Sequence, residues 1–142
     1  MTLTMRLFLR TLLITTISWS LPADASEISF AWLTDLHVGA SGGEADLRAV
    51  VADIRTEGAV SFAIVSGDVS ELDVGPNLEI AKTLLDSMGI PYYIIPGNHD
   101  TKWSSSGGGN FRQLWGSDRF TFETDEYRFI GIHQGPILRM GD

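Results

Sequence analysis

Residues 92–100 read YYIIPGNHD: four apolar residues that break abruptly into Pro96, Gly97, Asn98, His99 and Asp100. Aromatic and β-branched residues in a row favour an extended strand, and Pro-Gly ends one. The segment thus predicts a short strand, Tyr92 to Ile95, that delivers an amide, an imidazole and a carboxylate at its carboxyl end. One such break could be chance, so the question is whether it recurs. Outward toward the N-terminus it does so twice. Phe62 to Val65 runs into Ser66-Gly67-Asp68, and Ile28 to Leu33 runs into Thr34-Asp35-Leu36-His37.

Between the three runs the period changes from strand-like to helical. From Glu44 to Arg55, apolar Leu47, Val50, Val51 and Ile54 fall on one face of a helix. From Leu78 to Met88, apolar Leu78, Ala81, Leu84, Leu85 and Met88 do the same, and Gly89 follows where a helix-ending glycine is expected. The order is β-α-β-α-β, which predicts a parallel sheet with right-handed crossovers. Strands in such a sheet share one carboxyl edge, and ligands bind outside it. All three polar clusters should therefore meet. Beyond them, Ser104 to Gly109 reads as a mobile loop and flexible rim, followed by a short helix near Asn110 to Leu114. A hairpin from Phe120 to Glu123 and Tyr127 to Ile132 completes the chain's regular elements. No internal repeat and no linker between two domains is visible.

Composition narrows what the clusters can do. The 142 residues suffice for one cored domain. A net charge of −8 argues against a non-specific nucleic-acid surface and leaves an anionic substrate in need of a local cation. With no cysteine, thiolate sites and disulfides are excluded. The donors on offer are oxygen and nitrogen, suited to Mn, Fe, Zn or Mg. Taken singly, Asp35, Asp68 and Asn98 also suit ordinary turns, and His37 an ordinary loop. Glu71 suits equally a carboxylate behind a metal ligand and a solvated acid. His133, in the hairpin, is expected to be structural, as are surface Lys102 and packed Trp103.

The ordered triple Asp35-Leu36-His37, Gly67-Asp68-Val69-Ser70-Glu71 and Gly97-Asn98-His99-Asp100 resembles the calcineurin-like metallophosphoesterases, over roughly residues 28 to 133. Their pattern is D-x-H, then G-D-x-x-[DE], then G-N-H-[DE]. The resemblance implies an αββα sandwich, of which the N-terminal β-α-β-α-β half plus a hairpin is present. It implies a two-metal centre hydrolysing phosphomonoesters or phosphodiesters. Asp35 and His37 would bind the first divalent ion, Asp68 would bridge both, and Asn98 would bind the second. His99 would face the substrate and protonate the leaving oxygen, with Asp100 orienting it from behind. Glu71 stands where purple acid phosphatases carry a tyrosine, so the chain looks more like the bacterial phosphodiesterase-type branch. The family's later Gly-His and Gly-His-x-His motifs are missing, which makes residues 26–142 read as a phosphoesterase domain incomplete at its C-terminus and inactive alone. The alternative is a non-catalytic metal- or phosphate-binding module that retains the fold.

The first 25 residues read as an address. Arg6 and Arg10 precede an apolar run from Thr11 to Leu21, then Pro22 and Ala23-Asp24-Ala25, the layout of a cleaved signal peptide. The run is shorter than the roughly 18 residues of a membrane span. Cleavage after Ala25 and export to the periplasm or medium are expected, with no membrane span in the mature chain.

Overall fold

A computed structural model describes residues 27–134. The leader expected over 1–25 lies outside them. The elements run β1 (Phe30–Leu33), α1 (Gly43–Glu57), β2 (Phe62–Ser66), α2 (Gly75–Asp86), β3 (Tyr92–Ile95), α3 (Asn98–Thr101), α4 (Gly109–Trp115), β4 (Arg119–Glu123) and β5 (Arg128–Ile132). The expected β-α-β-α-β unit is present. β1, β2 and β3 form a parallel sheet in that order, with Phe30 opposite Phe62 and Ala63 opposite Tyr92. β4 and β5 form the antiparallel hairpin.

Alternation along the strands sorts the side chains into two layers. Ala63, Val65 and Ile94 point toward the helices and join the core. There they pack with Leu47, Val51 and Ile54 of α1, with Leu78, Ala81, Leu84 and Leu85 of α2, and with Phe111 of α4. The opposite face of the sheet is aromatic. Phe30 stacks on Phe62 at 5.2 Å, and the hairpin lays Phe122 flat on Tyr93 at 3.5 Å. Trp32, Ile130 and Ile132 stay exposed. No described helix is long and apolar enough to cross a membrane.

The helices start and stop for local reasons. α2 begins three residues earlier than the apolar spacing suggests, because Pro76 falls in the first turn, where a missing N–H costs nothing. It ends at Asp86 with Ser87 as its cap, so Gly89, at φ 79°, lies one position further out than expected. The one-turn helix α3 was not expected. Asp100 makes it: its carboxylate accepts from the Gly97 N–H at 2.9 Å and closes the turn.

The segment expected to be a mobile loop, Ser104 to Gly109, is instead tied down. Asp73, buried and in a left-handed turn at φ 52°, accepts from the Ser104 hydroxyl at 2.5 Å, from the Ser106 hydroxyl and from the Phe111 N–H at 3.2 Å. Asn110 Nδ2 donates to the Asp73 carbonyl at 2.8 Å. One side chain from a neighbouring loop supplies the order that Gly-Ser composition hides.

Candidate metal centre

The three strand-end segments converge because their backbones bond to one another beyond the sheet. Asp35 N–H donates to Gly67 O at 3.1 Å, His37 N–H to Asp68 O at 2.9 Å and Val38 N–H to Val69 O at 3.1 Å. The third segment joins through the Asp68 carboxylate, whose Oδ1 accepts from the His99 N–H at 2.9 Å. Contact this close requires bare backbone. A Cβ on Gly67 would lie 2.7 Å from Gly97 Cα, and one on Gly97 would run into Asp68. The two glycines therefore pack back to back.

Asp35, His37 and Asp68 have φ of 54°, 42° and 50°. With Asp73 they are the only non-glycine residues of the described chain in that region. Left-handed backbone at a side-chain-bearing residue carries strain, which gathers at functional sites. Here three of the four strained positions are the residues expected to bind metal.

The side chains meet accordingly. Ligand atoms of His37, Asp68 and His99 all lie within 4.8 Å of one another. His37 Nε2 is 3.7 Å from Asp35 Oδ1, and the rings of His37 and His99 stand edge to face at 4.6 Å. Asn98 opens α3 directly beside His99. It lines a cavity of about 320 Å³ together with Lys102 and His133. Asp35 and His37 line a second one of about 370 Å³. His133 donates from Nδ1 to Pro96 O at 2.9 Å, which fixes its ring to the third turn.

Glu71, whose role the sequence left open, holds both imidazoles. Its carboxylate accepts from His37 Nδ1 at 2.9 Å, and its backbone carbonyl accepts from His99 Nδ1 at 2.6 Å. A carbonyl only accepts and an ionised carboxylate only accepts, so each ring carries its proton on Nδ1. Nε2 of each ring is thereby turned over to the site. This is how proteins fix the tautomer of a metal-binding histidine.

Asp100 departs from its expected place behind His99. Its two oxygens are taken by the N–H groups of Val69 and Ser70, both at 3.0 Å, and of Gly97 at 2.9 Å. It is fully buried, and it clamps the second segment to the third rather than steering an imidazole. Burial pushes its carboxyl above the usual carboxylate range and the nearby Asp68 charge adds to this, while the three N–H donors pull the other way.

The donor set fits a divalent cation. Asp35, Asp68 and Glu71 crowd together, and among the described residues no lysine or arginine pairs with them. Such a group of carboxylates needs positive charge between them. Sheet edge, strained carboxylates and oriented imidazoles define an α/β protein with a candidate metal centre. The chain belongs to the calcineurin-like phosphoesterases, whose family model matches residues 28–140. That is a family of metal-dependent hydrolases acting on phosphate esters. No match was found among the curated proteins compared with it.

Proposed function

We propose that this chain is a phosphoesterase whose centre takes two divalent cations at the carboxyl edge of β1, β2 and β3. The observation that supports this most is the double hold of Glu71, which leaves His37 Nε2 beside Asp35 and Asp68 as a lone pair for a metal. Asp35 and His37 would hold one ion, Asp68 both, and Asn98 the other. With Asp68 and Asn98 as its ligands from these motifs, the second ion is the more weakly held. When bound, the ions offset the charge that develops on the phosphoryl oxygens and activate water.

The remaining chemistry falls to the chain's own groups. His99 keeps one proton on Nδ1 through the Glu71 carbonyl. That hold leaves Nε2 as the ring nitrogen through which a proton would pass to the leaving oxygen. Lys102 brings to the cavity beside Asn98 an ammonium with no carboxylate partner among the described residues. It attracts phosphate where the net charge of the chain would repel it. Export follows from the leader, and the N-terminus of the exported protein should begin at Ser26.

Titration of Mn²⁺ into the protein tests the assignment. Asp68→Asn keeps an oxygen for the His99 N–H but removes a charge, so Mn²⁺ affinity should fall at least about tenfold with the far-UV circular dichroism unchanged. His99→Ala should leave affinity within about twofold, as fits a proton donor rather than a ligand. Unchanged affinity in Asp68→Asn would refute the centre.

A further inference from the structure

Trp103 leaves the third turn on the side of His99. Its N–H donates to Asn98 O at 3.1 Å, which ties its backbone to the turn that carries the imidazole. The indole centroid lies 4.4 Å from that of His99, with the rings at 62°. Yet Trp103 is 55% exposed. Leu72 is 48% exposed and sits one residue before Asp73, while Trp103 sits one residue before Ser104. Asp73 and Ser104 are hydrogen-bonded, so Leu72 and Trp103 flank one clasp. Two apolar side chains are thus held in solvent on tethered backbone, next to the imidazole placed to meet the leaving oxygen. Burying them within the domain would have been favourable. An uncharged aromatic lip here offers a stacking surface and adds no repulsion toward a phosphate.

We propose that Trp103 is a specificity-determining residue that stacks a flat aromatic group carried on the alcohol side of the phosphate ester. The preferred substrates are then aryl or nucleobase-bearing esters rather than glycerol or simple sugar phosphates. This rests on the phosphoesterase reading, because it is the His99 side from which the leaving group departs. Stacking is tolerant of the identity of the ring, so the selection is for flatness and not for one base.

Binding measured without turnover tests it. Phenylphosphonate and methylphosphonate present the same phosphonate group and differ in the ring, and calorimetry on the full chain at saturating Mn²⁺ compares them. Phenylphosphonate should bind about tenfold tighter, on the scale of a favourable aromatic pair. Trp103→Ala should reduce that preference to about twofold and leave methylphosphonate unchanged, and Trp103→Phe should restore most of it. Equal affinities in the parent protein would overturn the proposal. So would an equal loss for both ligands in Trp103→Ala, which would make the indole a mere support for His99. A ring preference that is unchanged when Mn²⁺ is left out would defeat the phosphoesterase reading and leave the lip standing. Mn²⁺-dependent binding of both phosphonates without a ring preference would defeat the lip alone, and binding of neither phosphonate would overturn both.

Discussion

Replacing Asp100 by alanine separates a structural clamp from a partner of His99. The carboxylate accepts three backbone N–H groups, from Val69, Ser70 and Gly97. Those of Val69 and Ser70 make buried bonds, and Gly97 is partly accessible. Each buried donor left without an acceptor costs about 1–3 kcal/mol. Two of them therefore predict roughly 2–6 kcal/mol, and a water entering the vacated space brings the expectation to about 3–4 kcal/mol. That is a large share of the stability of roughly 5–15 kcal/mol typical of a domain. Urea unfolding followed by far-UV circular dichroism should show the midpoint falling with little change in slope. Asp100→Asn should recover only part of the loss, since its NH₂ would face an N–H. A variant within about 1 kcal/mol of the parent would refute the clamp. So would full stability combined with a selective loss of turnover, which is the signature of a group that orients His99.

Two further outcomes follow from the geometry. Glu71→Gln keeps a hydrogen-bond acceptor but no longer fixes the His37 tautomer by charge. Mn²⁺ affinity by calorimetry should drop about 10–100-fold with folding intact, and a change under about twofold would exclude the role. On the far side of the domain, Lys82 donates to Asp86 at 2.8 Å, and the Tyr92 hydroxyl donates to Asp86 at 2.7 Å. The lysine, with the tyrosine assisting, holds the Asp86 carboxyl below the usual carboxylate range. Its contribution is thus present above the unfolded-state pKa of about 3.9 and is lost as pH falls through the lower folded value. Because half of that side chain is in solvent, Asp86→Asn should cost under about 1 kcal/mol at neutral pH. It should also flatten the acid limb of a stability–pH curve, and an unaltered limb would show that the pair does not matter.

The parallel sheet was legible because its evidence is local. Apolar runs of strand length, amphipathic runs between them and polar breaks at their ends sit within a few residues of each other. The convergence of Asp35, His37, Asp68 and His99 followed from topology alone. What stayed hidden depends on partners far apart in the chain. Glu71 reads as a carboxylate near a glycine-aspartate pair, and nothing adjacent reveals that its carbonyl takes His99, 28 residues on. Asp100 follows a histidine, which suggested a pairing with that neighbour. Its true partners, Val69 and Ser70, lie about 30 residues back. Composition misjudged Ser104 to Gly109 because the ordering group, Asp73, belongs to another loop. A helix of one turn, like α3, has too few residues to show a period.

The back-to-back contact of Gly67 and Gly97 bears on how this centre could be moved to another scaffold. Grafting the three segments as independent cassettes onto a different parallel sheet would transplant the ligands without their spacing. The distance between the second and third strand ends is set by two backbones touching where side chains would otherwise stand. A recipient sheet with ordinary residues at either position would hold the Asp68 and Asn98 segments apart by the thickness of at least a methyl group. The portable unit is therefore the glycine pair with both of its loops, and a library that varies one of those positions while fixing the other should yield only glycine.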